Sequence, residues 1–252
     1  SPSGDKLSYD AVYNGDLQSW VKFANTLRLK IALRCMKNMG ALATDHIRDV
    51  MADEAATISN ENESAQMSFE NVNGNENPYF VKFIKNNNYY PYNPTATGQA
   101  PKLSEYLFTL FRSYKDPRLE VYYDSVPLAS RLFLTDTLTS SADDSLRVVS
   151  YPLPYLGQPK AGTKLVGWTN LNGLPDLVGS TNINSYSNAN PALLLPNRPF
   201  TMLSYSEALF LKAEAAKLGY GGGMSAEQYY YAGIDANFAY WGISSALRDE
   251  YK

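Results

Sequence analysis

From residue 16 to residue 39, apolar side chains return every three or four positions: Trp20, Ala24, Leu27, Ile31 and Cys35. That spacing predicts one amphipathic helix over 16–39 with this stripe as its buried face. Lys22, Arg28, Lys30, Arg34 and Lys37 fall between the apolar positions and read as a basic, solvated side. Asp16 suits the start of that helix as a cap. A second helix is expected over 43–56, capped by Thr44 or Asp45. A third runs over 104–114 from Ser104, with Leu107, Leu110 and Phe111 inward. Pro117 ends that segment by forcing Asp116 out of helical geometry.

The clearest local signals lie near the end of the chain. Ser204 precedes Glu207 by three positions, and Ser225 precedes Gln228 by three, which is the capping-box spacing. Leu209, Ala213 and Ala216 then repeat as one helix face. Gly219 suits a left-handed C′ position, and Gly221–Gly223 form a turn. Ala232, Gly233, Ala236 and Ala239 keep the following helix slim, so that its neighbour can approach. Helices over 204–218 and 225–241 joined this tightly are antiparallel neighbours, the unit of tetratricopeptide-like arrays. The expected fold is therefore mostly α, with helix pairs supporting a large irregular loop-rich face and a few short strands. It is read as a single domain over 1–252, with loop-rich insertions at 57–103 and 115–203. Val121–Arg131 and Arg147–Leu156 carry short β-like runs broken by prolines.

Composition narrows the function classes. The chain has 252 residues, of which 44% are hydrophobic and 19% charged, which suits a packed globular protein. A formal net charge of −3 argues against nucleic acid. No apolar run reaches the length of a membrane span. One histidine, His46, and one cysteine, Cys35, cannot build a transition-metal cluster. His46 reads as a helix-surface residue and Cys35 as a small buried hydrophobe. Asp5, Asp10, Asn14 and Asp16 lack the spacing of a calcium loop. A lone histidine leaves no support for a Ser–His–Asp set. Asp116, Asp124, Asp136, Asp143, Asp144 and Asp176 offer carboxylates, with nothing marking a glycosidase pair. The triple glycine lacks the Lys-Ser or Lys-Thr of a phosphate loop. Neither a cofactor nor a metal nor a catalytic residue is expected. The polar opening SPSGDKLSYD is not a signal peptide and reads as the middle of a longer protein.

Four blocks, in order, resemble the SusD/RagB family. Residues 13–34, YNGDLQSWVKFANTLRLKIALR, are similar to its "YgGD…W.kfANsLrLrlAmR" helix. Residues 77–80, NPYF, are similar to its "NPfy" segment. Residues 103–119, LSEYLFTLFRSYKDPRL, resemble the block that ends in "DPRl". Residues 206–220 and 227–242, SEALFLKAEAAKLGY and EQYYYAGIDANFAYWG, resemble the closing "aEvlFLkAEAa..G" and "YY..GI.aS..ywG" pair. The resemblance implies a Bacteroidetes outer-membrane lipoprotein, exposed on the cell surface and lipid-anchored through an N-terminal cysteine missing here. It implies nutrient capture without catalysis, with a SusC-like TonB-dependent transporter as partner. The ligand it implies is an oligosaccharide or polysaccharide, or in some members a peptide. It also implies that this chain is the C-terminal portion of such a protein. None of the four blocks transfers a binding residue.

Sugar recognition needs flat aromatic platforms and a few placed polar groups. Two segments hold that mixture: NNNYYPYN at 86–93 and WTNLN at 168–172, with Tyr186 further on. Tyr89, Tyr90, Tyr92 and Trp168 are the candidate platforms. Asn93, Asn170 and Asn172 are the candidate hydroxyl partners. The competing account is that these aromatics pack the loops onto the helices. Two other functions stay open: a tetratricopeptide-like protein-interaction scaffold without a sugar ligand, and a glycoside hydrolase.

Overall fold

A computed structural model describes residues 9–85, 101–126, 133–139, 146–152, 154–155, 157, 168–169 and 186–252. For 133–139, 146–152 and 168–169 only the backbone is described. The fold is mostly α. In chain order the helices are α1 Leu17–Ala52, the single turn α2 Pro78–Phe80, α3 Glu105–Ser113, α4 Arg118–Tyr122, α5 Tyr205–Lys217, α6 Ala226–Tyr240 and α7 Ser245–Tyr251. The strands are β1 Ala65–Met67, β2 Phe133–Thr139, β3 Leu146–Pro152, β4 Trp168–Thr169 and β5 Phe200–Leu203. The chain divides into two compact units: residues 1–77 with 197–250 and Lys252, and residues 78–196 with Tyr251.

In the first unit, α1 is a hairpin in all but name. Gly40 breaks it, with φ +48° and ψ −117°, a region that a residue with a Cβ avoids. The expected caps of a separate second helix do other work. Thr44 Oγ1 lies 3.3 Å from the Tyr220 hydroxyl, and Asp45 sits beside Arg48 at 3.7 Å. Asp16 caps the start by accepting from the Gln18 backbone N–H at 3.0 Å.

The buried face of α1 is not the stripe that periodicity marks. The covered side chains are Ser19, Thr26, Leu29, Ala32, Leu33, Ala43, Ile47, Val50 and Met51. Leu29, Leu33, Ile47, Val50 and Met51 share a core with Leu209, Leu211, Ala213, Ala215 and Tyr229. Along the predicted stripe, Ile31 is 54% exposed, Ala24 is exposed, and Trp20, Leu27 and Cys35 are only half-buried. The basic side is not freely solvated either. Lys22 pairs with Glu63 at 2.6 Å, Arg28 with Asp49 at 2.7 Å, Lys30 with Glu207 at 2.7 Å and Arg34 with Glu214 at 2.8 Å. These cations tie the first half of α1 to its second half, to the 54–63 turns and to α5.

The pair α5 and α6 forms from its caps inward. Ser204 accepts from Glu207 N–H, and Ser225 with Gln228 completes a reciprocal capping box. At the end of α5, Gly219 N–H donates to Ala216 O and Tyr220 N–H to Ala215 O, a full Schellman closure. A Cβ on Gly233 would stand 2.8 Å from Phe210 Cε1, so the helix contact depends on the missing methyl. The buried Ser206 hydroxyl donates to Gly233 O at 2.9 Å. Strand β5 leads into α5 and pairs antiparallel with β1, setting Ala65 opposite Leu203.

The second unit holds α3 and α4 around Leu103, Phe108, Phe111 and Tyr186. Lys115, with φ +49°, ends α3, and Asp116 N–H closes on Phe111 O at 2.8 Å. The Asp116 carboxylate, 8% exposed, holds the Arg118 side chain at 2.5–3.1 Å. Val121 and Tyr122, expected in a β-like run, instead close α4. Strands β3-β2-β4 form a three-stranded antiparallel sheet; β3 overlaps the expected 147–156 run, and β2 had no sequence signal assigned to it.

Candidate functional site

Tyr89, Tyr90, Tyr92, Asn93, Asn170 and Asn172 lie outside the described residues. Trp168 is described as backbone: it stands in β4, opposite Leu134 of β2. Tyr186 is 7% exposed within the α3 core, so it packs the loop down and offers no platform.

What is described is the base from which both Asn- and Tyr-rich segments depart. Residues 101–103 follow the first segment, and 187–190 follow the second. Leu103 N–H donates to Ser187 O at 2.9 Å, and Ala189 N–H to Pro101 O at 2.8 Å. Lys102 thereby bridges antiparallel to Asn188. On the other side of the same strand-like run, Asp124 N–H donates to Asn188 O and Asn190 N–H to Tyr122 O, both at 2.9 Å. The residues that follow the two candidate segments, 101–103 and 187–190, are thus paired with one another. A single sequence shows no signal for that pairing, because it depends on backbone hydrogen bonds between segments 86 residues apart.

This base carries its own chemistry. Lys102 Nζ donates to the side-chain oxygen of Asn188, which is 2% exposed. Burial pulls the Lys102 ammonium down to about 8, because a desolvated cation is costly. Burial also raises the Tyr123 phenol and the Asp124 carboxyl.

The first unit has three further clusters. The Arg198 guanidinium lies 4.9 Å from the Trp241 ring and 5.7 Å from that of Tyr240, within cation–π range. Asn77 Nδ2 donates to Arg198 O at 2.7 Å, so the Asn of NPYF is a buried strut. Arg28 Nε donates to His46 Nδ1 at 2.9 Å. Asp10 is an organiser of its loop. Its carboxylate accepts from the backbone N–H of Val12, Tyr13 and Gly15 and from Trp20 Nε1 at 2.8–3.1 Å. Burial raises this carboxyl, but those hydrogen bonds outweigh it and hold the group down at about 2. Among the described residues, no group of three or more His, Cys, Asp or Glu side chains is placed to hold a metal ion. No described helix is long and apolar enough to cross a membrane.

In the first unit, capped helices tied together by ion pairs define a helical scaffold. The SusD-like family described as "Starch-binding associating with outer membrane" matches residues 2–132 and 133–251, and the chain belongs to it. The fold is similar to that of a SusD homologue from Bacteroides thetaiotaomicron, with TM-score 0.68 and 21% identity over 100% of this chain and 42% of that one. A chitin-binding protein aligns with TM-score 0.66 and 25% identity, over 100% of this chain and 48% of that one. A chitin-binding SusD homologue from Flavobacterium johnsoniae aligns with TM-score 0.64 and 23% identity, over 98% and 41%. The chain spans less than half the length of these solved relatives. No curated protein matches it.

Proposed function

We propose that this chain is part of a cell-surface glycan-binding protein that captures an oligosaccharide for a SusC-like TonB-dependent transporter. It acts without bond cleavage, from the outer membrane, to which a lipid anchor outside these residues holds it. The observation that carries the reading is the pairing of 101–103 with 187–190, the described residues that follow the two Asn- and Tyr-rich segments in sequence. A ligand spanning the two segments stacks on Tyr89, Tyr90, Tyr92 and Trp168. Asn93, Asn170 and Asn172 hydrogen-bond its hydroxyls. The chitin-binding relatives support the ligand class, and N-acetylglucosamine oligomers are the first probes to use.

The test is affinity electrophoresis and calorimetry against a panel of neutral oligosaccharides, with Trp168→Ala and Tyr90→Ala. Each substitution is expected to weaken binding by about 1–3 kcal/mol, the range for one lost aromatic stacking contact. Unchanged affinity in both variants would remove these residues from the site. Product analysis after prolonged incubation checks the absence of cleavage; new reducing ends that vanish on one Asp substitution would make the protein a hydrolase.

A further inference from the structure

Two Asn–Gly pairs stand in turns of the first unit, Asn14–Gly15 and Asn73–Gly74. A third, Asn172–Gly173, lies outside the described residues. In any such pair the glycine backbone nitrogen can attack the asparagine side-chain carbonyl, because no Cβ on the next residue blocks the approach. Sequence alone treats the two pairs alike. Both asparagines are exposed, and both turns use left-handed backbone, with φ +50° at Asn14, +81° at Gly15 and +96° at Gly74.

What separates the pairs is the bonding of each glycine N–H. Gly15 is buried, and its N–H donates to Asp10 Oδ2 at 2.9 Å. The same carboxylate accepts from the N–H groups of Val12 and Tyr13 and from the Trp20 indole. Asn14 N–H donates to Asp10 O at 3.2 Å and Asp16 N–H to Tyr13 O at 3.0 Å, so the Asn14–Gly15 peptide is fixed from both sides. A charge-assisted hydrogen bond must break before that nitrogen can attack. The Asp10 carboxylate is also a poor proton acceptor, since its hydrogen bonds hold it at about 2. Gly74, by contrast, is exposed. Its N–H contacts Glu76 Oε2 at 3.4 Å, longer than the usual range for such bonds. A Cβ at Gly74 would meet nothing within 4 Å. Residues 71–75 are all exposed, and loop tips of this kind are where chemical attack on a chain concentrates.

We infer that Asn73 is a site of spontaneous deamidation in the folded protein, and that Asp10 protects Asn14 from the same reaction. The Gly74 nitrogen gives its proton to hydroxide and bonds to Asn73 Cγ. The bond from Cγ to the side-chain nitrogen breaks, and that nitrogen leaves as ammonia. The five-membered imide then takes up one water. Opening at Cγ leaves an aspartate; opening at the main-chain carbonyl leaves an isoaspartate, whose main chain is one carbon longer. Either product adds a negative charge to the turn that Asn75 N–H closes on Val72 O at 2.9 Å. The inference is independent of the glycan reading.

The protein is incubated in mildly alkaline buffer, native and in urea. Peptides carrying residues 14 and 73 are followed by mass spectrometry, with electron-transfer fragmentation to tell isoaspartate from aspartate. In the native protein Asn73 is expected to convert at least roughly tenfold faster than Asn14, the effect of one hydrogen bond to a charged group. In urea the two rates are expected to converge, since only the fold tells the pairs apart. Asp10→Ala is expected to raise the Asn14 rate towards that of Asn73 and to leave Asn73 unchanged. Asn73→Gln is expected to remove the fast product. Equal native rates overturn the inference. So does a native difference that persists in urea, which would put its cause in the flanking sequence, or an Asn14 rate unmoved by Asp10→Ala. If Asp10→Ala fails to fold, the comparison of native protein with urea decides alone.

Discussion

The Phe210 ring lies so close to the backbone of Gly233 that a Cβ there would come within 2.8 Å of the ring carbon Cε1. Real side chains do not meet at that distance, and Phe210 is itself held against Tyr230, with ring centroids 5.6 Å apart. Gly233→Ala is therefore expected to destabilise the protein by about 1–3 kcal/mol through overpacking. Urea denaturation checks it. An unchanged midpoint would mean that α5 and α6 can move apart freely.

Glu54 is the partner on which three distant groups converge. Its carboxylate accepts from the Tyr229 hydroxyl and the Gly223 N–H, and lies 3.9 Å from Lys212 Nζ. Lys212 is 4% exposed, and burial lowers its ammonium while Glu54 partly restores it. Glu54→Ala strands a buried cation, and a loss of about 3 kcal/mol is expected. Lys212→Met removes the cation itself and should cost clearly less. Guanidinium melts of both variants decide the order; a costlier Lys212→Met contradicts this account.

Asp10 sets an acid limit. Its folded value of about 2 lies below the ordinary 3.8, so the native state favours the ionised form. The stability this gives is complete above pH 4 and is lost as pH falls from about 4 towards 2. The side chain is partly open to water, so the effect is modest. Asp10→Asn should show a shallower fall over that window. Trp20 fluorescence is a suitable signal, since its indole N–H is bonded to Asp10. Parallel acid curves for both proteins would contradict the assignment.

Lys102 acts in the opposite window. With a folded value of about 8 against the ordinary 10.5, the unfolded chain binds the proton more tightly between these values. Stability is therefore expected to rise with pH from about 8 to 10.5 through this group. Lys102→Met should lose that rise while keeping the α3 core. Thermal melts at spaced pH values check it, and equal slopes in both proteins would show that Lys102 is well solvated.

What can be read from this chain alone follows the range of the forces involved. The starts of α3, α5 and α6 are visible because Ser104, Ser204 and Ser225 bond to N–H groups three residues on. The Asp116–Arg118 turn is visible for the same reason, as is the slimness of α6 at Gly233. The mixed composition of the segments at 86–93 and 168–172 is also plain, and so is the wording of the family blocks.

Only the tertiary structure decided which side of α1 is covered, because Leu29 and Ile31 are equally apolar and differ only in what lies against them. Leu29 is fully buried in one core with Leu209, while Ile31 is 54% exposed. The same holds for the basic residues: Arg34 is bound by Glu214, 180 positions away, and no local pattern announces that pair. Tyr186 and the tyrosines of the 86–93 segment look alike in sequence, yet Tyr186 is spent on the core. Caps and periodicity set the elements, because their hydrogen bonds close within a turn. Burial, ion pairing and the meeting of two loops at Lys102 and Asn188 depend on which surfaces the folded chain brings together.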